Sequence, residues 1–338
     1  MLKPETFTIT ELSQADFEHY AKALSPLKVP LEQTPLWGGF DDQIVNRSFL
    51  GSFKYEDSNG KLVAIGSATC YHQKGRDWIW FKHGPLFASV PNTEIVKKMC
   101  ATLRQQWSTP ELKPLFIRLT APTFTSPLRL PFEHTMYDET VVVELKSEEE
   151  ILAGMSQSGR QGIRRAQKAG VEVKEITQSA VEVFTKQCYP ILKETGSRDG
   201  FGIHPLSLYT ALLTSLPKNA RLYTSSVAGK IEAWAITTEY NSQAMYYYGG
   251  STAQARDNYA AYALHWEIMK QVKQRGNLTY DFMGIAGKHY QGLKNVTQFK
   301  IKFSKNIVQV PVTYDLPLQQ LKYRVLSLAL RTKRKLKK

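Results

Sequence analysis

Cysteine is scarce in this sequence, and its placement argues against two classes of protein. The 338 residues include only Cys70, Cys100 and Cys188, which lie far apart and show no spacing typical of metal ligands. An odd, sparse set of cysteines is typical of a reducing cytoplasm rather than of a disulfide-linked secreted protein. The seven histidines show no ligand spacing either. We therefore expect neither a metal nor a cofactor, and we interpret the cysteines as small buried hydrophobic residues.

Long apolar runs are also missing. No apolar segment reaches the ~18 residues that a membrane-spanning helix needs. The first residues, Met1-Leu-Lys-Pro-Glu-Thr6, do not contain the apolar region of a signal peptide, so we expect a cytoplasmic protein. An apolar content of 42% with 11% aromatic residues is typical of a folded globular protein. The length of 338 residues favours two domains over one.

Acidic residues are absent from the C-terminal end of the sequence. The net charge is +14, and residues 321–338 alone carry eight basic side chains without an acid. Such a concentration of charge favours a polyanionic partner, which is a nucleic acid, a phosphorylated substrate or an anionic membrane surface. The alternative is that the basic C-terminal tail, residues 319–338, only keeps the protein in solution.

Two segments of the sequence repeat one another. Gly60-Lys-Leu-Val-Ala-Ile-Gly-Ser-Ala-Thr69 aligns with Gly229-Lys-Ile-Glu-Ala-Trp-Ala-Ile-Thr-Thr238, and both patterns predict a turn followed by a β-strand. An amphipathic helix is predicted before each segment, around residues 14–24 and 178–194. An aromatic strand, a second helix and another strand are predicted after it. The apolar residues of these second helices fall at helical spacing: Ile95, Met99, Leu103 and Trp107 in the first half, and Tyr262, Trp266 and Met269 in the second.

This order of elements is that of an acyltransferase domain of the GCN5-related type. The predicted fold class is α/β (α+β), with two such domains in tandem, mixed sheets and an inter-domain cleft in which ligands bind. We expect the first domain to cover residues 1–145 and to be completed by residues 307–338. The second domain is expected to cover residues 146–306.

Four motifs follow one another in the second half. They are Ser158-Gly-Arg-Gln-Gly-Ile-Arg-Arg-Ala-Gln-Lys-Ala-Gly-Val-Glu-Val173, Tyr247-Tyr-Gly-Gly-Ser251 with Asn258-Tyr-Ala-Ala-Tyr-Ala-Leu264, Asp281-Phe-Met-Gly-Ile285, and Phe299-Lys-Ile-Lys-Phe-Ser304. The first half adds Gln33-Thr-Pro-Leu-Trp37 and Lys82-His-Gly-Pro-Leu86. Together they resemble the FemABX family of non-ribosomal peptidyltransferases over essentially the whole chain. No heptad pattern matches the long helical hairpin of some members, so the resemblance is to the compact form.

Three positions depart from the pattern of the short members of that family. Gly39 stands where the family has a lysine that helps to hold the substrate diphosphate, and His204 stands where it has an arginine. Thr120 stands where the family has an aspartate. The resemblance therefore implies a related reaction whose substrate is held by a different set of side chains.

The resemblance implies a tRNA-dependent aminoacyltransferase that extends the peptide stem of a peptidoglycan precursor during formation of the interpeptide bridge. The implied partners are an aminoacyl-tRNA and a UDP-linked or lipid-linked muramyl-pentapeptide. The implied enzyme is a cytoplasmic monomer, with the basic tail as a candidate for peripheral contact with the inner face of the plasma membrane. An ester donor is already activated, so the reaction needs no metal and no ATP.

Lys300 is the candidate for stabilising the oxyanion of this reaction, and Phe299 is the candidate for stacking on the terminal base of the tRNA. A competing interpretation is that residues 299–305 form an amphipathic strand whose lysines face water. Residues 283–313 contain no acid, which favours contact with a phosphate backbone. The tRNA-binding candidates from this segment are Lys294, Lys302 and Lys305.

The candidates for binding the acceptor combine basic residues at helical spacing with aromatic residues of the family motifs. They are Arg160, Arg164, Arg165, Arg198, His204, Tyr248, Tyr259, Tyr262 and Trp37. The alternative interpretation is a solvated basic helix face with half-buried tyrosines that pack in the core.

Two other functions remain open at this point. An acyl-CoA-dependent N-acyltransferase of the GCN5-related type would hold pyrophosphate in a Gln/Arg-x-x-Gly-x-Gly/Ala turn at a helix N-terminus. No full match occurs, and the partial match Gln167-Lys-Ala-Gly170 is followed by Glu172, which would repel a phosphate. A non-catalytic RNA- or membrane-binding protein is the other alternative. The tail supports it by the pattern of an interfacial helix: Leu321, Val325, Leu328 and Leu330 among basic residues.

Overall fold

A computed structural model describes residues 5–24, 29–73, 75–109, 111–132, 137–287 and 293–335. The chain divides into two compact units, Met1–Thr135 with Pro311–Lys338, and Met136–Val310. We set the division at 145/146 and 306/307 from the sequence. The difference arises because residues 139–144 and 307–309 pair with strands of the second unit.

The first unit is built on one mixed sheet. Its strands are β1 (Thr8–Leu12), β2 (Arg47–Glu56), β3 (Leu62–Gln73), β4 (Arg76–Trp80), β5 (Leu86–Phe87), β6 (Phe116–Thr120) and β14 (Thr313–Pro317). Its helices are α1 (Gln14–Ala23), α2 (Pro35–Asp41), α3 (Thr93–Trp107) and α11 (Gln320–Lys335). The sheet order is β1-β2-β3-β4-β6-β14, with β5 paired to β3. Among the strand pairs formed by the described residues of this sheet, β4 and β6 are the parallel pair.

The second unit repeats this plan. Its strands are β7 (Glu139–Glu144), β8 (Glu172–Ile176), β9 (Ala220–Val227), β10 (Lys230–Tyr240), β11 (Gln243–Ser251), β12 (Thr279–Ile285) and β13 (Ile307–Gln309). Its helices are α4 (Glu148–Gly154), α5 (Gln157–Lys168), α6 (Ala180–Val183), α7 (Tyr189–Asp199), α8 (Leu206–Ser215), α9 (Ala260–Gln274) and α10 (Lys294–Lys300). The sheet order is β13-β7-β12-β11-β10-β9-β8, and β11 and β12 are its parallel pair.

The repeat seen in the sequence corresponds to equivalent hairpins. Gly60 and Gly229 lie in the turns β2–β3 and β9–β10, and both have positive φ angles, +75° and +79°. Glycine adopts this left-handed conformation without the steric cost that a Cβ atom brings. The predicted tandem of mixed-sheet domains is confirmed, and so are the helical segments predicted around Met99 and Trp266, which are α3 and α9.

In each sheet, the strand that pairs antiparallel with the second strand of the parallel pair comes from a distant part of the chain. In the second unit, β7 precedes the rest of the sheet and pairs with β12. In the first unit, β14 pairs with β6 only after the chain has passed through the whole second unit. The first sheet is therefore completed by the last strand of the chain.

Two local predictions differ from the structure. The helix expected over residues 178–194 is interrupted, because a π-helical turn at Phe184–Cys188 separates α6 from α7. The strand considered for residues 299–305 is wrong. Residues up to Lys300 belong to α10, and a turn follows in which Phe303 N–H donates to the carbonyl oxygen of Lys300.

Each sheet carries its own apolar core. In the first unit, Met99 and Leu103 of α3 pack with Ile79 and Ile117 of the parallel pair. In the second unit, α9 packs mainly across β9 and β10 and also contacts β12. Helix α11 adds a small aromatic cluster, in which Tyr323 packs against Phe116. Within the described ranges, no helix is both long and apolar enough to cross a bilayer.

Candidate functional site

The parallel strands β11 and β12 of the second unit diverge after a short paired stretch. Their pairing begins at Gln243 with Thr279 and ends at Met245 with Asp281, although both strands continue beyond that point. The backbones therefore separate toward the carboxyl ends of the two strands. Open α/β sheets bind ligands at this kind of position, outside the carboxyl ends of parallel strands.

A bulge in β12 shapes one side of the opening. The register of β12 against β7 shifts between Asp281 and Gly284, and Met283 takes a left-handed φ of +58°. The Asp281 carboxylate holds this conformation, because its Oδ1 accepts a 2.6 Å hydrogen bond from Met283 N–H and another from the Thr140 hydroxyl. A Cβ atom at Gly284 would collide with the ring of Tyr137, so the close approach of that ring requires glycine.

The Lys300 side chain reaches β12 at this bulge. Its Nζ donates a 2.7 Å hydrogen bond to the carbonyl oxygen of Gly284 and lies 5.8 Å from the centre of the Tyr246 ring on β11. Lys300 is only 7% exposed. Burial lowers its pKa to about 8, and the Asp281 carboxylate opposes that shift. A lysine whose pKa is lowered to about 8 thus lies between the diverging strands.

Helix α10 fixes the position of this lysine. The Thr297 hydroxyl accepts a 2.9 Å hydrogen bond from Ala286 N–H, just after β12, and donates to the carbonyl oxygen of Leu293. These bonds hold the start of α10 against the end of β12. The lysine at the end of the helix then points back to Gly284, which the strand interpretation would not have allowed.

His265 of α9 belongs to the same buried cluster and was not among our candidates. Its Nδ1 lies 2.9 Å from the Tyr280 hydroxyl, and its ring packs against Tyr246 and Phe282 at centroid distances of 4.5 and 4.8 Å. Burial lowers the pKa of His265 to about 3, and the positive charge of Lys300 adds to this effect. The imidazole is therefore neutral at physiological pH and does not compete with Lys300 as a cation.

Phe299 lies in the aromatic cluster around His265. Its ring is 5.1 Å from Tyr262, 5.2 Å from Phe303 and 5.6 Å from His265. The side chain is half-buried, so one part packs in the core and the remainder is accessible. Stacking of Phe299 on a base stays a prediction.

Four other candidates meet where α5 packs against α9. The Arg165 guanidinium donates to the Tyr259 hydroxyl, and the Lys302 ammonium donates a 3.0 Å hydrogen bond to the Tyr262 hydroxyl. The two helices approach closely at Gly162, where a Cβ atom would lie 2.5 Å from the Tyr262 ring. The result is a half-exposed surface of alternating cations and phenols beside the Lys300 cluster.

Arg160 and Lys305 line a groove of about 600 Å³ beside this surface. Arg160 Nη1 donates to the carbonyl oxygens of Met155 at 2.6 Å and Leu152 at 3.2 Å. These bonds satisfy carbonyl groups at the end of α4, so Arg160 also has a role in the fold. Arg164 and Lys294 are exposed.

The remaining candidates have other surroundings. Arg198 Nη1 donates a 2.9 Å hydrogen bond to the carbonyl oxygen of Ser251 at the end of β11, and its Nε lies 3.0 Å from Asp199. Tyr248 packs edge-on against His204, with ring centres 6.0 Å apart. Trp37 belongs to the first unit. It is buried there, with the Lys82 ammonium 4.9 Å from its ring centre, so the two first-half motifs meet.

The sequence matches the protein-family model described as the FemAB family over residues 134–230 and 230–331, which together are more than half of the chain. No curated protein sequence matches it. The fold is similar to the crystal structure of FemX, with a TM-score of 0.75 and 14% identity, over 95% of this chain and 100% of that one.

Two further structures share the fold at lower similarity. One is the C-terminal domain (DUF2156) of a putative lysylphosphatidylglycerol synthetase from Agrobacterium fabrum, with a TM-score of 0.53 and 13% identity, over 94% and 97% of the two chains. The other is L-PGS from Bacillus licheniformis, with a TM-score of 0.51 and 12% identity, over 96% and 98%. At these identities the likeness concerns the fold alone.

Proposed function

This chain belongs to the FemAB family, and from that premise we propose that it transfers an aminoacyl group from a charged tRNA to the peptide stem of a peptidoglycan precursor. The acceptor is a UDP-linked or lipid-linked muramyl-pentapeptide. The transfer extends the stem by one residue of the interpeptide bridge. The proposal rests on family membership and on the position of Lys300.

The reaction forms one bond and breaks one. The neutral amine of the acceptor attacks the ester carbonyl carbon of the aminoacyl-tRNA, and the carbonyl oxygen becomes an oxyanion. As the intermediate collapses, the C–O bond of the ester breaks, the new C–N bond becomes an amide, and the amine proton passes to the departing ribose oxygen. No covalent enzyme intermediate is needed.

The single observation that carries this proposal is the buried ammonium of Lys300 between β11 and β12. One of its N–H groups is taken by the carbonyl oxygen of Gly284, which leaves further donors on the same nitrogen. A fixed positive charge in a site of low exposure stabilises a developing oxyanion far more than a hydrated lysine does. The neutral imidazole of His265 keeps the surroundings free of a second competing charge.

The donor would approach along the basic segment that contains Lys294, Lys302 and Lys305. These cations are suited to the phosphates of an acceptor stem. Phe299 would stack on the terminal base with the accessible part of its ring.

The acceptor would lie across the surface formed by α5 and α9. The Arg165–Tyr259 and Lys302–Tyr262 pairs offer guanidinium, ammonium and phenol groups to a polar peptide stem. The groove at Arg160, the exposed Arg164, and the set of Arg198, His204 and Tyr248 are the further contacts that we assign to it. In the first unit, Trp37 beside Lys82 offers a cation on an aromatic face.

The start of α9 argues against a CoA donor. An acyl-CoA enzyme of this superfold would bind pyrophosphate at a glycine-containing turn before such a helix. Here residues 252–259 contain no glycine and include Asp257, which would repel a phosphate. The residue before α9, Tyr259, has a left-handed φ of +60° and makes no cap hydrogen bond with its own side chain. The N–H of Ala260, the first residue of the helix, is already taken, because it donates a 3.1 Å hydrogen bond to Asn258 Oδ1.

We also propose that α11 rests on an anionic membrane surface. Leu321, Val325 and Leu328 are exposed by 78%, 67% and 65%, and their spacing places them along one side of the helix. Leu330 differs from the predicted pattern, because it packs inward with Tyr323. An exposed apolar stripe with basic residues and no acids is suited to the boundary of anionic lipids. This position would place the enzyme at the inner face of the plasma membrane.

The test is donor dependence. Purified protein and muramyl-pentapeptide precursor should yield an extended stem, detected by mass spectrometry, only when charged tRNA is supplied. Ribonuclease treatment of the charged tRNA should abolish the product. Ribonuclease-insensitive transfer from acetyl-CoA would instead identify the acyl-CoA enzyme and overturn the proposal.

A further inference from the structure

Three potential metal ligands meet on the sheet of the first unit. Cys70 and His72 are two residues apart on β3, so their side chains lie on the same face of the sheet. Asp77 is the cross-strand partner of His72 on β4. One ligand atom from each residue, a thiol sulfur, a ring nitrogen and a carboxylate oxygen, lies within 4.8 Å of the other two. Paired neighbouring strands hold all three, so the cluster is positioned by the backbone ladder.

The hydrogen bonds of His72 involve both ring nitrogens. Its Nδ1 lies 2.8 Å from Asp77 Oδ1, and its Nε2 lies 3.0 Å from the Ser48 hydroxyl on β2. Histidines that bind metals through one ring nitrogen donate the N–H of the other to an oxygen, which fixes the tautomer and the ring orientation. Ser48 offers that oxygen on the side of the ring away from Asp77.

We propose that Cys70 Sγ, His72 Nδ1 and the Asp77 carboxylate bind a divalent transition-metal ion of the zinc class, with Ser48 as the residue that positions His72. A set of one sulfur, one nitrogen and one oxygen suits a borderline-soft ion rather than Mg²⁺ or Ca²⁺. His72 and Asp77 are 42% and 41% exposed, so an ion enters from solvent and keeps a water as its fourth ligand.

Binding replaces two existing interactions. The metal takes the place of the hydrogen bond between Nδ1–H and Asp77, so the imidazole changes tautomer and its proton is then carried on Nε2, which donates it to the Ser48 hydroxyl. The thiol proton of Cys70 leaves to solvent as the metal–sulfur bond forms. No oxidant or reductant is involved. The ion then joins β3 to β4 where the sheet is open to solvent, and it stabilises the first unit independently of the transfer reaction.

The hydrogen bonds from Ser48 to His72 and from His72 to Asp77 also follow the order of a hydrolytic triad. In such a triad a buried carboxylate orients the histidine. Asp77 is too exposed for this role, because a hydrated carboxylate stabilises an imidazolium only weakly. The buried thiol of Cys70 has no place in the triad, whereas it completes the metal site.

Cobalt substitution tests the site on the full-length chain. Titration with Co²⁺ should produce one equivalent of bound ion with a thiolate-to-cobalt charge-transfer band, which Zn²⁺ should abolish by displacement. The Cys70→Ala variant should lose this band. Cys100→Ala, which removes another buried thiol of the same unit, should keep it. A wild-type titration without the band, or a band that persists in Cys70→Ala, overturns the proposal.

A second set of variants keeps the test decisive if Cys70→Ala folds poorly. Asp77→Asn changes an exposed side chain and should weaken Zn²⁺ binding by at least tenfold. Ser48→Ala should weaken it by about 10- to 100-fold while the charge-transfer band is retained at saturation, which separates a positioning residue from a ligand. Unchanged Zn²⁺ affinity in both variants contradicts the assignment. Ester hydrolysis that depends on Ser48 in the absence of metal supports the triad instead.

Discussion

Arg118 and Asp315 form a buried ion pair between residues that lie 197 positions apart. Arg118 Nε is 2.7 Å from Asp315 Oδ1, and Nη2 is 3.0 Å from Oδ2, with the two side chains 2% and 0% exposed. The Tyr323 hydroxyl of α11 donates a further hydrogen bond to Oδ2. The pair joins β6 to β14, so the sheet of the first unit is completed by the segment that follows the second unit.

The first prediction is that Asp315→Asn strongly destabilises the first unit. The substitution leaves the Arg118 guanidinium buried without its counter-charge, which typically costs about 3–5 kcal/mol. Denaturant unfolding should show the loss. Glu94→Gln is a matched control, because it removes the exposed partner of Lys97 and should cost less than ~1 kcal/mol. Equal losses of unfolding free energy in the two variants would mean that the buried pair contributes no more to stability than an exposed pair.

The second prediction concerns the charge between the diverging strands. Lys300→Met should lower kcat for aminoacyl transfer by roughly 10²–10³, because the oxyanion loses its charged donor. Lys305→Met, which removes an exposed lysine from the same basic segment, should raise the KM for charged tRNA and leave kcat unchanged. Steady-state kinetics with varied tRNA separates these effects. An unchanged kcat in Lys300→Met would return this lysine to a role in the fold.

The third prediction follows from the pKa of Lys300, which is lowered to about 8. An oxyanion donor has to be protonated, so kcat should fall as the pH rises through about 8. A lysine that acted as a general base would give the opposite limb, with kcat rising through the same range. In Lys300→Arg the guanidinium stays charged, so the falling limb should disappear even if the rate is lower. Single-turnover rates on both sides of pH 8 distinguish these outcomes.

The sequence predicts the tandem fold because the two halves share the same residue pattern at their hairpin turns and at the apolar positions of their helices. Gly60 and Gly229 mark equivalent hairpins, and the helical spacing around Met99 and Trp266 gives α3 and α9. The long-range pairings of β7 with β12 and of β14 with β6 leave no such signal, since the sequence of each strand is that of an ordinary short strand. Only long-range pairing, such as that of Arg118 with Asp315, shows which sheet it completes.

The candidate site is predictable only in part. Lys300 is predicted from its family motif. The alternation of apolar and basic residues over 299–305, however, is typical of a strand, so it does not predict that α10 ends at a buried lysine. His265 was missed because a lone histidine within an apolar helix reads as a core residue. The cluster of Cys70, His72 and Asp77 depends on hairpin register, which residue spacing does not reveal.

The last prediction concerns the exposed stripe of α11. Deletion of the helix is a poor test, because Tyr323 is buried against Phe116 and Phe132, and its removal would uncover that aromatic cluster. Substitution of Leu321, Val325 and Leu328 by Ser changes only exposed side chains, so the unit should stay folded. The triple variant should bind anionic vesicles more weakly and release them when the salt concentration is raised. The loss of apolar insertion leaves only electrostatic attraction, about 1 kcal/mol for each basic residue near the surface, which salt screens.

The matched control carries Lys322→Gln and Arg324→Gln, which keep the apolar stripe and remove two exposed charges. This variant should bind anionic vesicles more weakly and lose part of the salt dependence. Neither variant should change the affinity for charged tRNA, because the proposed tRNA contacts lie in the other unit at Lys294, Lys302 and Lys305. If tRNA affinity falls while vesicle binding persists, the tail follows the nucleic acid. The exposed apolar residues of α11 would then have no role in binding, because contact with phosphates depends on charge and not on apolar area.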